Sequence, residues 1–354
     1  MAVEHPAHPQ SDGDFYQKHF LEYRAKIKMN STNTLDHYTS LFQNLRVDKN
    51  RNHYPEATTH RAPHKPFLLL SIIDLVAQGH ITSNLIEPSF DLTETFATYW
   101  SAVMPITRRG LMSYPFYHMR NEPFWRLIPR PGHQDRPGQT FSSMTRIRKI
   151  YAGAEIDEPL YALLQDLSTR EIMRTVLVKS YFAPAVQPLV YSQGKINYAS
   201  GIYAQHLTTE IFDGLESFGE SKEEDEKKIR DQGFRRAIVA LYDHRCALCG
   251  IRMLTPEGHT VVEAAHIIGW SKSRDDRPTN GLCLCRLCHW SFDEGLMSVG
   301  RSYEVIVSKR VRMESNNPGH ILTLSDRPIF VPKEDRFRPA QDNLDYHRRE
   351  VFIS

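Results

Sequence analysis

Cysteine is missing from the first 245 of the 354 residues, and several other features are scarce along the whole chain. The longest apolar run, residues 67–77, contains Ser71 and Asp74 and falls short of the roughly 20 apolar residues that a membrane helix needs. The N-terminus has no basic segment followed by an apolar core, so no secretory signal is predicted. With 18 glycines and 21 prolines the chain is neither collagen-like nor of low complexity. We expect a cytoplasmic protein with no membrane partner.

The composition is that of globular domains, with 40% apolar and 24% charged residues, and the length suggests about two of them. We predict an α+β protein with a mostly helical N-terminal domain and a smaller C-terminal domain that contains the cysteines. The predicted division is a disordered tail over 1–15, an N-terminal domain over 16–190, a linker over 191–231, a second domain over 232–310, and an extension over 311–354 that packs on the second domain.

The charge is unevenly distributed, although the formal net charge is only +2. Residues 105–150 include nine Arg or Lys and two acidic residues, a net charge of +7, whereas residues 216–226 are acidic. Aromatic residues are interspersed with these cations, which is typical of nucleic-acid binding because cations pair with phosphates and rings stack on bases. The alternative is a set of solvated surface arginines.

The five cysteines lie within 43 positions and are Cys246, Cys249, Cys283, Cys285 and Cys288. Two C-x-x-C pairs in one short segment predict a four-thiolate zinc site in a reducing compartment. The predicted zinc ligands are Cys246, Cys249, Cys285 and Cys288. Four protein thiolates leave no position for water, so the zinc should be structural. The alternative is a set of buried thiols that pack as small hydrophobes, which is the role expected of Cys283.

Three polar residues accompany the cysteines at regular intervals. His266 ends an apolar strand, Asn280 follows fourteen residues later, and His289 follows nine residues after that. The stretch from about 232 to 305 resembles the HNH nuclease motif, a ββα-metal unit in which a hairpin and a helix hold one catalytic metal. The resemblance implies His266 as general base, Asn280 as the residue that holds the hairpin loop, and His289 as a metal ligand. The implied catalytic ion is Mg²⁺, Mn²⁺, Co²⁺ or Ni²⁺, separate from the zinc.

One position departs from the commonest family pattern, which has an Asp or His directly before the catalytic histidine. Ala265 occupies that position here. Side chains on a strand repeat on one face every two residues, so Glu263 shares the face of Ala265. We therefore predict Glu263 as the second metal ligand or a partner of the ligands. Asp293, one helical turn after His289, could face the same way, although a hydrogen bond at the helix end is the preferred interpretation.

Three segments of the N-terminal domain resemble the sulfur-binding domain of phosphorothioate-dependent, type IV restriction endonucleases. They are residues 60–75, 113–127 and 142–149, within a looser similarity over 36–185. A phosphorothioate carries sulfur in place of one phosphate oxygen, and that corner is larger, softer and a poorer hydrogen-bond acceptor. A binding site for it should combine an apolar surface for the sulfur with donors for the remaining oxygens.

The resemblance assigns such roles to specific residues. Tyr114 and Pro115 can form the apolar surface, completed by the aliphatic part of an arginine. The implied DNA- and sulfur-binding residues are His60, Arg61, Tyr114, Pro115, His118, Arg146 and Arg148. Ordinary turn packing is the alternative for Tyr114 and Pro115, and a polar first turn of a helix is the alternative for His60 and Arg61.

These observations predict an endonuclease that recognises phosphorothioated double-stranded DNA and hydrolyses phosphodiester bonds nearby. Cutting both strands needs two nuclease sites, so a homodimer is expected. Two alternatives remain within the same class: an HNH endonuclease for methylated or hydroxymethylated cytosine, with Trp125 or Tyr117 in the base pocket, or one for unmodified DNA in repair or mobile elements. A third alternative is a catalytically inactive, zinc-supported DNA-binding regulator, against which the intact His266, Asn280 and His289 argue.

Overall fold

The computed structural model describes residues 33–133, 141, 143–209, 223–255, 259–312, 317 and 319–354. The predicted tail over 1–15 lies outside these residues, as do residues 216–222 of the acidic stretch. Within the described ranges, no helix is long and apolar enough to cross a membrane.

Helices dominate the N-terminal part of the chain. In chain order they are α1 (33–43), α2 (His64–Ala77), α3 (Phe90–Val103), α4 (Ser113–His118), α5 (Met144–Ile150), α6 (Glu158–Gln165), α7 (Leu167–Tyr181) and α8 (Gln187–Thr208). A small antiparallel sheet accompanies them, with β1 (Leu85–Ile86) and β2 (Trp125–Pro129) pairing on either side of β3 (Tyr151–Ile156). These elements enclose one hydrophobic core that extends from Tyr38 to Val190.

Helix α2 is the central element of this first core, because the run FLLLSIIDLV is buried around its whole circumference. Its one carboxylate, Asp74, is fully buried and needs hydrogen-bond partners there. Arg174 Nη1 and Tyr99 Oη each lie 2.8 Å from that carboxylate, and Asn197 Nδ2 lies 2.9 Å from it. The polar network ties α2 to α3, α7 and α8.

The C-terminal part contains α9 (Glu223–Leu241), β4 (Val262–His266), α10 (Trp270–Ser273), β5 (Gly281–Cys285), α11 (Arg286–Asp293), β6 (Met297–Val299), β7 (Val305–Val307) and α12 (Gln341–Glu350). Strands β4 and β5 form one antiparallel pair, and β6 and β7 form another. A second hydrophobic core extends from Tyr203 to Leu344 and includes the inner faces of these elements. The predicted class, mixed helices with small sheets, is confirmed.

Helix α8 contributes to both cores. Val190 near its start belongs to the first core, whereas Tyr203 and Leu207 near its end belong to the second. Residues 191–208, which the sequence analysis placed in the linker, are therefore helical and packed at both ends of the helix. The domain boundaries themselves stay a prediction.

Candidate functional site

The β4–β5 hairpin brings two of the predicted catalytic residues, His266 and Asn280, together. His266, the last residue of β4, pairs with Gly281, the first residue of β5. The loop between them closes around Asn280, whose side chain is fully buried. Its Oδ1 accepts from Ile268 N at 2.9 Å, and its Nδ2 donates to the carbonyl oxygens of Ile268 at 3.0 Å and Asp275 at 2.9 Å. Asn280 thus holds both ends of the loop that follows His266.

The His266 ring is fixed on one face and at one edge. It stacks on Phe234 of α9, with ring centroids 3.9 Å apart and planes 7° from parallel. Its Nε2 lies 2.7 Å from Oδ1 of Asp276, a carboxylate that is 3% exposed. The sequence analysis did not identify Asp276, and nothing in the spacing distinguishes it from Asp275 beside it.

A second cluster lies where β4 meets α11. His289 Nδ1 is 3.7 Å from Glu263 Oε2, and His289 Nε2 is 3.4 Å from Asp293 Oδ2. Burial raises the pKa of Asp293. Arg286 Nε lies 3.3 Å from Glu263 Oε1 at the exposed rim. Glu263 and Asp293 approach different nitrogens of the His289 ring, so an ion bound to one ring nitrogen would have one of these two carboxylates beside it. An imidazole with one carboxylate is a donor pair that suits a hard or borderline divalent cation, which is the class of the implied catalytic metal.

The four predicted zinc ligands converge on one point. The Sγ atoms of Cys246, Cys249, Cys285 and Cys288 all lie within 4.8 Å of one another, and they are called the four-cysteine cluster below. The Cys249–Cys285 separation is 3.7 Å, close to the spacing of about 3.8 Å that tetrahedral Zn–S bonds of about 2.3 Å require. Gly250 turns the first pair at φ +75°, a conformation that side chains disfavour. The fifth thiol, Cys283, is buried outside the cluster, and burial raises its pKa.

Residues 246–300 match the model of an HNH endonuclease family. This segment is an HNH endonuclease domain. It contains the four-cysteine cluster, β4, β5 and α11, and therefore all the residues described above except Phe234. The comparison with curated proteins found no match.

A solved structure described as a modification dependent TagI restriction endonuclease is 23% identical to this chain. The match covers 33% of this chain and 37% of that chain, with a TM-score of 0.25. This chain therefore matches little more than a third of that protein's length.

Three of the predicted sulfur-binding residues line one cleft in the first domain. The cleft has a volume of ≈ 250 Å³, and its lining includes Tyr114, Pro115 and His118 from α4. Lys65 and Arg46 also line it, and sequence reasoning did not single them out. Lys65 forms a buried ion pair with Glu122. Burial, followed by the neighbouring cations Arg120 and Lys65, lowers the pKa of His118.

The other four predicted residues do not belong to the described lining of this cleft. His60 Nδ1 lies 3.0 Å from the carbonyl oxygen of Tyr54, and Arg61 directly precedes the lining residue Ala62. The Arg146 guanidinium is 5.3 Å from the Phe141 ring centroid, and its side chain is exposed.

The Arg148 guanidinium contacts backbone carbonyl oxygens of the protein itself. Its Nε donates to the Pro88 carbonyl at 2.7 Å, and its Nη2 lies 3.4 Å from the Ser89 carbonyl. These carbonyls precede α3, so the guanidinium anchors α5 to the start of that helix. The geometry therefore provides Arg148 with partners inside the protein, where the resemblance implied a contact with DNA.

Proposed function

We propose that this protein is a modification-dependent DNA endonuclease that recognises phosphorothioated double-stranded DNA and cuts it with its HNH domain. The observation that carries the proposal is that the segment matching the HNH family carries His266 at the end of β4 and places His289 beside Glu263 where β4 meets α11. A base beside a set of metal ligands is what phosphodiester hydrolysis requires.

Each residue of the cluster has a distinct role in this proposal. His266 accepts a proton from the attacking water, since an imidazole has a near-neutral pKa in model compounds. His289 and Glu263 would hold the divalent cation, of the Mg²⁺, Mn²⁺, Co²⁺ or Ni²⁺ class, which would neutralise charge at the phosphate. Asn280 keeps the loop closed behind His266. The four-cysteine cluster binds a structural Zn²⁺ that anchors the start of α11.

The cleft beside α4 supports the phosphorothioate as the recognised modification. Tyr114, 40% exposed, presents an apolar surface with the buried Pro115 behind it. Arg46 places a cation beside it, whereas Lys65 is paired with Glu122 and Asp48 also lines the cleft. Sulfur is soft and weakly hydrogen-bonding, so an apolar wall suits it while cations attract the remaining charge.

Burial argues against the base-flipping alternative in the form that uses Trp125 or Tyr117. Trp125 is 3% exposed and donates from Nε1 to the Phe116 carbonyl, and Tyr117 is 1% exposed and packs on Phe141. Both rings are part of the first core, and neither can stack on a flipped base without repacking that core.

Binding of matched duplexes tests the specificity. A gel-shift comparison of one duplex with and without a single phosphorothioate should show tighter binding of the modified duplex. Tyr114→Ala should reduce that difference, whereas Tyr198→Ala, which removes another exposed tyrosine, should retain it. Equal affinity of the wild type for both duplexes would contradict the phosphorothioate proposal and favour an enzyme for unmodified DNA.

Cleavage tests the nuclease assignment. With a divalent cation, His266→Ala should lose at least about 100-fold in cleavage rate, because that is the lower range of a general base's contribution, and DNA binding should persist. His259→Ala, an exposed histidine of the same domain, is the control. Absence of cleavage in the wild type would favour the inactive regulator. Sedimentation of the DNA complex checks the homodimer that double-strand cutting requires.

A further inference from the structure

The buried carboxylate of Asp276 lies between the HNH domain and the two helices that precede it. Its partners are His266 at the end of β4, Tyr203 on α8 and Arg230 on α9. Tyr203 Oη lies 2.8 Å from Oδ2, and Arg230 Nη1 lies 3.2 Å from Oδ1 and 3.3 Å from Oδ2. The comparisons and the motif spacing assign no role to this residue.

We infer that Asp276 is a positioning residue that holds His266 in the tautomer with a proton on Nε2, so that Nδ1 is the nitrogen that acts as base. This inference rests on the proposed nuclease function and deepens it. Asp276 itself touches neither DNA nor the cation in this assignment, and it acts through the histidine.

The direction of the His266–Asp276 hydrogen bond follows from the other partners of the carboxylate. The Arg230 guanidinium can only donate, and it donates to both oxygens of the Asp276 carboxylate. Tyr203 also donates, and burial, together with the charge of Asp276, raises the pKa of its hydroxyl, so it keeps its proton. An ionised carboxylate only accepts hydrogen bonds, so the Nε2 at 2.7 Å must be the donor.

The ring has little freedom to present its nitrogens differently. Phe234 covers one face of the imidazole at 3.9 Å. A flip about the Cβ–Cγ bond would exchange the ring edges and leave the buried Asp276 oxygen without its His266 partner. Unpaired buried acceptors are costly, so the observed orientation should be retained during turnover.

In this assignment His266 Nδ1 is the proton acceptor during phosphodiester hydrolysis. His266 Nδ1 takes a proton from water while the water oxygen bonds to phosphorus and the P–O ester bond breaks. The leaving oxygen takes a proton from solvent, and the imidazolium later returns its proton to solvent. The Asp276 carboxylate stabilises the transient imidazolium through the Nε2–H hydrogen bond. The buried Asp of a Ser-His-Asp triad stabilises its catalytic histidine in the same way.

The tautomer can be measured directly and without any activity. In wild-type protein labelled with ¹⁵N-histidine, the neutral His266 signal, identified by its loss in His266→Ala, should show the proton on Nε2. A proton on Nδ1 would overturn the inference. The measurement is independent of cleavage, so an inactive wild type would contradict the proposed function and leave this test intact.

Kinetics of Asp276→Asn provide the second test. We expect kcat to fall by about 100-fold with KM for DNA unchanged, together with a mixture of His266 tautomers. The control Asp231→Asn removes an exposed carboxylate that pairs with the same Arg230, so its kcat should stay within about twofold of wild type. An Asp276→Asn enzyme with the same kcat and tautomer as the control would overturn the inference. If Asp276→Asn does not fold, the tautomer of His266 measured in the wild-type protein tests the inference by itself.

Discussion

Glu263 lies close to His289, although the commonest family pattern has its acidic residue or histidine at position 265. The residue directly before His266 is Ala265, which is 1% exposed and has no donor atom in its side chain. Glu263 lies two residues earlier on the same strand and reaches within 3.7 Å of His289. The Glu side chain is long enough to approach His289 from this position on β4.

His347 predicts how the stability of the second core depends on pH. Burial lowers its pKa to about 4, and its ring stacks on Phe292 at 3.6 Å. Between pH 6.5 and pH 4 the unfolded chain binds a proton that the folded chain does not. The contribution of His347 to the free energy of unfolding should therefore be fully present above about pH 6.5. It should fall by about 1.4 kcal/mol per pH unit as the pH decreases towards 4.

Urea unfolding of His347→Gln checks this dependence. The variant lacks the titrating group, so its free energy of unfolding should decrease less between pH 6.5 and pH 5 than that of the wild type. Identical decreases in the two proteins would contradict the assignment of this proton to His347.

Helices α8 and α9 pack closely because Gly233 has no side chain. A Cβ atom at this position would lie 2.8 Å from the Ser200 carbonyl oxygen and 2.7 Å from Tyr203 Cδ1. Glycine within a helix costs about 1 kcal/mol relative to alanine, and the close approach offsets that cost. This approach brings Tyr203 and Arg230 from different helices to the same carboxylate.

The four-cysteine cluster and α11 form one element, because Cys285 is the residue that caps the start of α11 and Cys288 lies in its first turn. Removal of the metal should therefore destabilise the helix that carries His289. We expect Cys288→Ser to lose bound zinc and to unfold at a lower temperature than the wild type.

Metal analysis and thermal unfolding check this expectation. Cys283→Ala is the matched control, since it removes a buried thiol outside the cluster, and it should retain about one zinc per chain. Equal zinc content in Cys288→Ser and Cys283→Ala would contradict the assignment of the four zinc ligands.

Contacts between the two cores join them into a single unit. Glu94 of α3 pairs with Arg235 and Arg236 of α9, and the Phe90 ring lies 4.3 Å from the His244 ring. The Glu94 and Arg236 side chains are 17% and 11% exposed. This largely buried ion pair, together with α8, connects the first core to the second core, which contains the HNH domain.

Glu94→Gln should weaken this connection. Removing one partner of a buried pair leaves an uncompensated charge, which costs about 3–5 kcal/mol when burial is complete and less here. We expect the two cores to unfold at separate temperatures in the variant. Calorimetry checks this, with Glu334→Gln as control, because its exposed pair with Arg336 should contribute about 0–1 kcal/mol. A single transition at the wild-type temperature would contradict the role of Glu94.

The sequence by itself determined the metal cluster and the core of the HNH motif. His266, Asn280, His289 and the second C-x-x-C pair lie on one hairpin and the helix that follows it, and the first pair lies on a turn before β4. Within each of these local elements the separation of side chains follows from their spacing along the chain, so residue type and interval were sufficient to predict them. The sequence also showed, once charges were counted segment by segment, that the net charge of +2 is the sum of a basic segment and an acidic one.

Only the tertiary structure decided which distant residues meet. Tyr203 and Arg230 reach Asp276 across 73 and 46 positions, and α4 lines a cleft with Lys65 and Arg46. The tertiary structure also buried Trp125 in the first core and gave Arg148 a hydrogen bond to the Pro88 carbonyl. The physical reason is that a polar or aromatic side chain takes its role from the partners that packing provides, and those partners are not encoded in local spacing.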